Sequence, residues 1–367
     1  MGGSTSTAMA QSASPASPGT GPLTIGVGAA LSGGFSLFGE HIVKGVEAAV
    51  ADLNAAGGVL GQNVRVVTAD DECSSDDAVL AANRLIGAGS ALIVGHLCYG
   101  ASKDAAPIYA DQGIIQITPA TQSAGLTDDR APETLFRLAP RDTAIAEEIA
   151  DMVATQFAGG QIAIINDDSA YGTDFGSAIG VALAARGIQP AFTRNFTGGQ
   201  SGYRRLAGEL VDNRTDAVIV GAYYQDVSTL LGNLREAGSG AVVIAGETIA
   251  IPAFAGLAGP LAERTVFAAT DTLSSSVAAQ AALAAADVPD TVAARYFLAS
   301  HAAVMAWASA VETTGGFDPD ALATTLRGEP HQTVIGPLRF SPSGDAMLDQ
   351  VGLSTWRGGR KVPYPVD

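Results

Sequence analysis

From residue 23 onward the chain alternates short apolar runs with longer stretches in which apolar residues recur every three or four positions. LTIGVGAA (23–30) is apolar without a break, the pattern of a strand buried on both faces. The Gly/Ser-rich LSGGFSLFG follows as a turn. A helix is predicted over 40–56, with Ile42, Val43, Val46, Ala49, Val50 and Leu53 on one face and Gly57-Gly58 ending it. NVRVVTAD (63–70) alternates like a strand, and Ser74-Ser75-Asp76-Asp77 can cap a helix carrying Val79, Ala82 and Ile86. ALIVG and IIQIT are the next strands, with a helix beginning near Ser102 between them. Strands and helices alternating in this way predict a doubly wound βα unit with a parallel sheet.

After residues 135–140 a similar series starts again. Helices over 143–157, 172–186, 203–211 and 225–237 alternate with strands QIAIIN (161–166), 189–196, AVIVGA (217–222) and VVIAG (242–246). The architecture repeats while the sequence does not. From about Thr270 the pattern changes to Ala-rich helices, including 278–286 and 291–313, followed by the strand and turn GPLRFSPSGD and a last strand over 351–356. If those helices return to cover the first unit, the chain crosses between units near Arg141, Thr270 and Gln350. The expectation is an α/β protein of two doubly wound parallel-sheet (Rossmann-like) lobes, 23–140 plus 271–349 and 141–270 plus 350–367, with the ligand cleft between them. Three hinge strands would let two rigid lobes close on a ligand.

A length of 367 residues suits two such cores better than one, and a hydrophobic fraction of 47% is enough to fill them. No run of about 18 uncharged apolar residues occurs, so no segment is expected to span a membrane. The formal net charge of −17 sets the chain against polyanions, which excludes nucleic acid and anionic membrane surfaces as partners. Residues 1–22 are rich in Ser, Ala, Gly and Pro and are expected to be a disordered signal remnant or tag. Ala8-Met9-Ala10 has the small-x-small form of a signal-peptidase site without the apolar region before it, as in a secreted protein whose signal peptide is absent.

Candidate chemistry concentrates in residues 95–122, where ALIVG and IIQIT both end. In open α/β sheets, strand ends of this kind form the ligand crevice, and a helix N-terminus there offers backbone N–H groups to a negative charge. Cys73 and Cys98 each follow a strand, and their spacing leaves a bridge and two separate buried thiols equally open. A bridge would be worth about 3–4 kcal/mol and would imply an oxidising compartment. The four histidines, His41, His96, His301 and His331, have no ligand spacing, so no metal site is expected, and His96 beside a strand end reads as a buried structural residue. The acidic groups at 70–72 and 167–168 read as solvated caps. GAALSGG lacks both the Lys-Ser/Thr of a phosphate loop and the spacing of a dinucleotide fingerprint, so it reads as a tight turn and no cofactor is expected.

In their order and spacing, several segments resemble the type I periplasmic binding proteins of ABC importers, in particular the leucine/isoleucine/valine-binding (branched-chain amino acid) family. They are GVGAALSG with FGEHIVKGVEAAVADLNAAGGVLG, GHLC with IYADQGIIQITPAT, DDSAYG, GAYYQD, AGETI and GPLRFSPSGD, and the resemblance runs from Leu23 to about Trp356. It implies a periplasmic location, a disulfide between Cys73 and Cys98, and capture of an amino acid between the lobes for delivery to an ABC permease. In that family the first lobe holds the ligand carboxylate with a Ser directly after the second cysteine and a Thr in the following loop. The ammonium is held by a loop carbonyl and, from the second lobe, by a Glu and Tyr side chains.

The ammonium side is intact by this resemblance, with Tyr171, Tyr223 and Glu247 at the matching positions. A desolvated carboxylate gives a charge-assisted hydrogen bond to a cation, and Tyr rings add an electron-rich face and a polar tip. The carboxylate side departs from the pattern, because Tyr99 stands at the Ser position and Gln122 at the Thr position. Backbone N–H groups of residues 99–101 and the Gln122 amide could still receive a carboxylate, and Ala120 and Thr121 lie in the same loop. Tyr99 would fill space that an ordinary α-amino acid occupies. Phe38 and Tyr296 match the family's side-chain pocket and would narrow it, with core packing as the alternative. The expected protein is a monomeric solute-binding protein for a small or atypical amino acid, such as a short ω-amino acid, or another amine-bearing metabolite. A ligand-sensing domain of the same fold that feeds a receptor is the alternative. An enzyme with Cys98 as nucleophile beside His96 is set aside because a disulfide would remove the thiolate, so no catalytic residue is expected.

Overall fold

The computed structural model describes residues 21–128, 131–270, 273, 276–289, 294–348 and 351–365. Most of the segment expected to be disordered, up to residue 20, lies outside the described residues, as does the expected crossing point at Gln350. The first sheet is built from β1 (Leu23–Ala29), β2 (Val64–Asp70), β3 (Ser90–Gly95), β4 (Ile115–Thr118) and β5 (Leu135–Arg137), in the order β2-β1-β3-β4-β5. Every pair in it is parallel. The unbroken apolar runs are explained by position, since β1 is buried along its whole length between helices on both faces.

Helices α1 (Ser36–Ala55), α2 (Ser75–Gly87) and α3 (Tyr99–Ala110) connect these strands. α1 starts four residues earlier than its apolar periodicity suggests. A 3-10 turn over Gly33–Phe35 leads straight into it, and Phe38 and Gly39 join the buried face while Val43 lies only partly buried. α3 starts at Tyr99, three residues before Ser102. Cys98 is its N-cap residue and makes no side-chain cap hydrogen bond, so the usual Ser/Thr/Asp signal is missing.

The second sheet begins after α4 (Asp142–Gln156). It contains β6 (Ile162–Asp167), β7 (Phe192–Phe196), β8 (Ala217–Gly221), β9 (Val242–Ala245) and β10 (Thr265–Thr270), connected through α5 (Ala170–Ala185), α6 (Arg204–Asp212), α7 (Tyr224–Glu236) and α8 (Pro252–Ala258). The chain then returns to the first lobe as α9 (Val277–Ala285), α10 (Ala294–Thr314), α11 (Pro319–Gly328) and the short antiparallel pair β11 (His331–Thr333) and β12 (Gly336–Leu338). It re-enters the second sheet as β13 (Val351–Arg357) and β14 (Arg360–Pro363), giving the order β14-β13-β10-β9-β8-β6-β7. The pattern along the chain does not mark β5, β10, β14, α8 or α11.

The second sheet is parallel except for β13 and β14. Thr270, where β10 leaves the sheet, pairs with Val351, where β13 returns. A strand re-entering at the end by which its neighbour left must run the opposite way, so the antiparallel pair follows from the excursion to the first lobe.

α10 is buried on nearly every side, including Phe297, Leu298, Val304, Trp307 and Val311. Burying each of these large side chains contributes roughly 1.5–3 kcal/mol. Its contact with α1 is backbone-close. A Cβ at Gly45 would lie 2.2 Å from the carbonyl oxygen of Phe297, so this position requires glycine. The Ala-rich composition of α10 serves the same close approach.

Candidate functional site

The floor of the cleft in the first lobe is set by a polar frame around the β3–α3 turn. His96 is fully buried; its Nδ1 donates to Asp71 Oδ2 at 2.6 Å and its Nε2 is hydrogen-bonded to the Tyr109 hydroxyl at 3.0 Å. The His96 carbonyl accepts from Thr118 Oγ1 at 2.8 Å and from Ser102 Oγ at 3.2 Å. A Cβ at Gly28 would come within 2.4 Å of the imidazole, so β1 must carry glycine beside it. The structural role read for His96 holds. Asp71 is a correction, because it is no solvated cap but the buried partner of this imidazole. Asp167 is corrected in the same way. It is buried and accepts from the Ser169 backbone N–H, and burial pushes its carboxyl above the usual range despite those bonds.

The disulfide Cys73–Cys98 ties the loop after β2 to the start of α3, with Cα atoms 5.4 Å apart. The loop after β4 is held from behind by Arg137. This fully buried guanidinium donates to the carbonyls of Gln122 (3.0 Å) and Ser123, to Thr127 Oγ1 (2.6 Å) and to Asp345. Arg141 adds bonds to Asp345 Oδ2 at 3.2 Å and to the Ala124 carbonyl at 3.1 Å. Residues 121–127 therefore have little freedom to move away from the cleft.

All nine residues singled out from the sequence line one cleft of about 600 Å³, its mouth included. From the first lobe come Phe38 on α1, Tyr99 at the start of α3, Ala120, Thr121 and Gln122 after β4, and Tyr296 on α10. From the second come Tyr171 at the start of α5, Tyr223 just before α7, and Glu247 after β9. Both loops and helix starts of the second lobe sit at the carboxyl ends of parallel strands, as the sheet construction requires. Sequence reasoning missed Phe35, Leu97, Tyr224, Thr248 and Ile251, which also line the cleft. Tyr224 is the second tyrosine of GAYYQD, and Phe35 lies in the stretch read as a simple turn.

The aromatic rings meet across the cleft. Phe35 of the first lobe packs edge-on against Tyr223 of the second at 4.9 Å, and Phe38 against Tyr224 at 6.2 Å. The Tyr224 hydroxyl donates to the Gly34 carbonyl at 3.3 Å. Within each lobe, Tyr171 lies 5.4 Å from Tyr223 and Phe38 lies 5.3 Å from Tyr296. Ser123 of the first lobe donates to Asp174 of the second. The lobes are thus in contact around the cleft.

The polar groups divide into those already paired and those open. The Thr121 hydroxyl is hydrogen-bonded to Ser102 Oγ at 2.7 Å and so belongs to the frame. The Gln122 amide donates to Glu247, bridging the lobes. Glu247 is also ion-paired with Arg295, a buried residue at the start of α10 that the sequence reading did not single out. It is the only Lys or Arg in a helix whose first two turns are otherwise largely apolar. A buried charge needs a counter-charge, so a lone Arg in such a helix was the available signal. Burial pulls the Arg295 guanidinium below its ordinary value and pushes the phenols of Tyr171 and Tyr223 well above theirs, so the tyrosines are neutral. The buried Tyr171 hydroxyl has no well-formed hydrogen bond.

A family model described as periplasmic binding protein matches residues 22–360. Among curated proteins, the Leu/Ile/Val-binding protein homolog 3 of Brucella melitensis is 30% identical over 342 residues, covering 93% of each chain. The Leu/Ile/Val-binding protein of Escherichia coli is 27% identical over 339 residues, covering 91% of this chain and 90% of its own. Among solved structures, an ABC transporter substrate-binding protein from Desulfitobacterium hafniense in complex with Leu is 26% identical with a TM-score of 0.75, covering 94% of this chain and all of its own. A leucine-binding protein from Thermotoga maritima superposes with a TM-score of 0.83 at 19% identity, over 94% of this chain and 98% of its own, which bears on the fold alone.

Proposed function

The chain belongs to the periplasmic binding protein family, and from that premise we propose that its cleft captures a small amino acid or other amine-bearing metabolite. It is a solute-binding protein of the ABC-importer type. The lobes are assigned as 23–140 plus 271–349 and 141–270 plus 350–367, closing about the crossings near Arg141, Thr270 and Gln350. Affinity then reflects the contacts a ligand gains in the closed form over the open one. The observation that carries this reading is the convergence of Tyr171, Tyr223 and Glu247 from one lobe on Tyr99 and Gln122 from the other.

Glu247 is the ammonium receptor in this reading, Tyr171 and Tyr223 flank the cation, and Tyr99 and Phe38 limit ligand size. The protein acts in the periplasm as a monomer, hands its ligand to membrane permease subunits, and catalyses nothing. No helix among the described residues is long and apolar enough to cross a membrane. Titration calorimetry with a panel of amino acids and amines tests the ligand class. Glu247→Gln is expected to weaken binding by about 1.5–3 kcal/mol through loss of a charged hydrogen bond. Unchanged affinity in that variant, or tightest binding of a ligand without a cationic nitrogen, would remove the basis for the assignment.

A further inference from the structure

Among the described residues that line the cleft, only Glu247 carries a charge. Its counter-charge is already present within the protein, because the Arg295 guanidinium reaches it from α10 of the first lobe. The other ionic groups nearby do not line the cleft: Arg137 behind the 121–127 loop is paired with Asp345, and Asp142 and Asp167, whose fields reach Tyr171, lie behind the cleft wall. Among the described residues, the charge on the cleft lining is therefore balanced by Arg295 before any ligand enters.

That charge balance restricts what can bind. A ligand ammonium that takes a Glu247 oxygen must either displace the guanidinium or share the carboxylate with it. Both outcomes leave one uncompensated positive charge in a buried site, which is strongly unfavourable. A ligand that also brings a carboxylate restores neutrality by giving the guanidinium a new partner. No first-lobe amide is left for that carboxylate at Gln122, whose side chain is turned to Glu247. A carboxylate alone would compete with Glu247 for Arg295 and leave one negative charge over.

We propose that Arg295 is a specificity-determining residue of this cleft: by neutralising Glu247 in advance, it selects a zwitterion over an amine or an acid alone. The proposal rests on the amine-ligand reading of the site and adds the requirement for a second, opposite charge on the ligand.

Calorimetry on the full chain tests it with alanine, valine, leucine and 4-aminobutanoate, each beside its decarboxylated amine and its deaminated acid. The wild type is expected to bind at least one zwitterion about 100-fold more tightly than either singly charged counterpart. In Arg295→Met, the cleft keeps the Glu247 charge alone, so the matched amine should gain on the zwitterion by roughly 10-fold or more. Arg295→Lys, which keeps the charge, should keep the order of preference. Thermal unfolding of each variant identifies a simple loss of fold, in which case the Lys variant carries the comparison. An Arg295→Met protein that retains the wild-type ratio of zwitterion to amine overturns the proposal. A wild type that binds the amine most tightly also overturns it while leaving the amine reading intact. If the deaminated acid binds as tightly as the zwitterion, or nothing in the panel binds, the proposal and the reading beneath it both fall.

Discussion

Replacing either member of the Arg137–Asp345 pair should damage the protein, and by unequal amounts. Arg137 is fully buried, and Asp345 is its ion-pair partner; Asp345 itself accepts from Thr127 Oγ1 at 2.6 Å, Ser343 Oγ at 2.8 Å and Arg141 Nη1 at 3.2 Å. Burial opposes ionisation of Asp345, but the charge of Arg137 and these bonds outweigh it and hold its carboxyl below the usual range. In Arg137→Met, the carboxylate keeps three donors. The freed carbonyls are not orphaned either, since that of Gln122 accepts from the Asp142 N–H and that of Ser123 from the Leu126 N–H. The expected cost is about 3 kcal/mol, the low end for breaking a buried pair. In Asp345→Asn, a guanidinium with no exposed surface loses its counter-charge, and the cost should approach about 5 kcal/mol. At roughly 2–4 °C per kcal/mol for a lobe of this size, the two unfolding midpoints should fall by about 6–12 °C and 10–20 °C. The chain has two tryptophans, Trp307 on α10 in the first lobe and Trp356 on β13 in the second, so fluorescence of a Trp356→Phe background reports on the lobe that holds the pair. Ligand affinity should fall alongside, because the pair holds the loop that presents Gln122. Two variants within 1 kcal/mol of wild type, or Arg137→Met as the worse of the two, would refute this reasoning.

Three further outcomes are expected. Burial pushes the Asp142 carboxyl up to about 6 against bonds from the Ala124 and Thr143 N–H groups and the charge of Arg137. The folded protein therefore binds that proton more tightly than the unfolded chain, so the wild type should lose about 2 kcal/mol relative to Asp142→Asn as pH rises from about 4 to about 6; urea midpoints that run parallel, or diverge the other way, count against it. Reduction of Cys73–Cys98, which closes a loop with a sequence separation of 25, should lower stability by about 3–4 kcal/mol, seen as a drop in the thermal midpoint on adding dithiothreitol, and no drop would show that the bridge contributes nothing. Tyr99→Ser should enlarge the cleft and raise affinity for leucine relative to alanine by calorimetry; an unchanged ratio would mean that Tyr99 does not limit ligand size.

The strands were legible because burial on both faces of a sheet leaves an apolar run with no competing pattern, as at β1, β3, β6 and β8. Helix starts were less so, for identifiable reasons. α3 begins at a cysteine that makes no capping bond, and α1 begins inside a glycine-rich turn whose aromatic residues belong to the cleft. β5 escaped notice because it is only three residues long, and β10 because it follows directly on the 3-10 segment Gly259–Arg264. Seven of the nine cleft residues were legible in motifs at the ends of strands that could be placed, and Phe38 and Tyr296, which lie on α1 and α10, only through the family resemblance. Arg295 was not, since its partner Glu247 lies 48 positions away in the other lobe and no helical periodicity or capping rule connects them.

Tyrosine distribution carries a separate indication of where function lies. Five of the eight tyrosines line the cleft: Tyr99, Tyr171, Tyr223, Tyr224 and Tyr296. A buried phenol stabilises a fold through its apolar area only if its hydroxyl finds a partner, and elsewhere in this chain it does. Tyr109 is hydrogen-bonded to His96, and Tyr203 donates to Asp226. Tyr171 is as thoroughly buried as these, stacked 5.7 Å from Phe175, yet its hydroxyl lacks a well-formed bond. Leaving a buried hydroxyl unsatisfied costs about 1–3 kcal/mol, which phenylalanine would avoid at this position with the same packing. With Thr248 as a polar neighbour and no well-formed bond to it, the Tyr171 hydroxyl fits the proposed role of receiving a polar atom of the ligand. Tyr171→Phe should accordingly leave stability unchanged or improved while weakening ligand binding, and the reverse pattern would mark the tyrosine as a core residue.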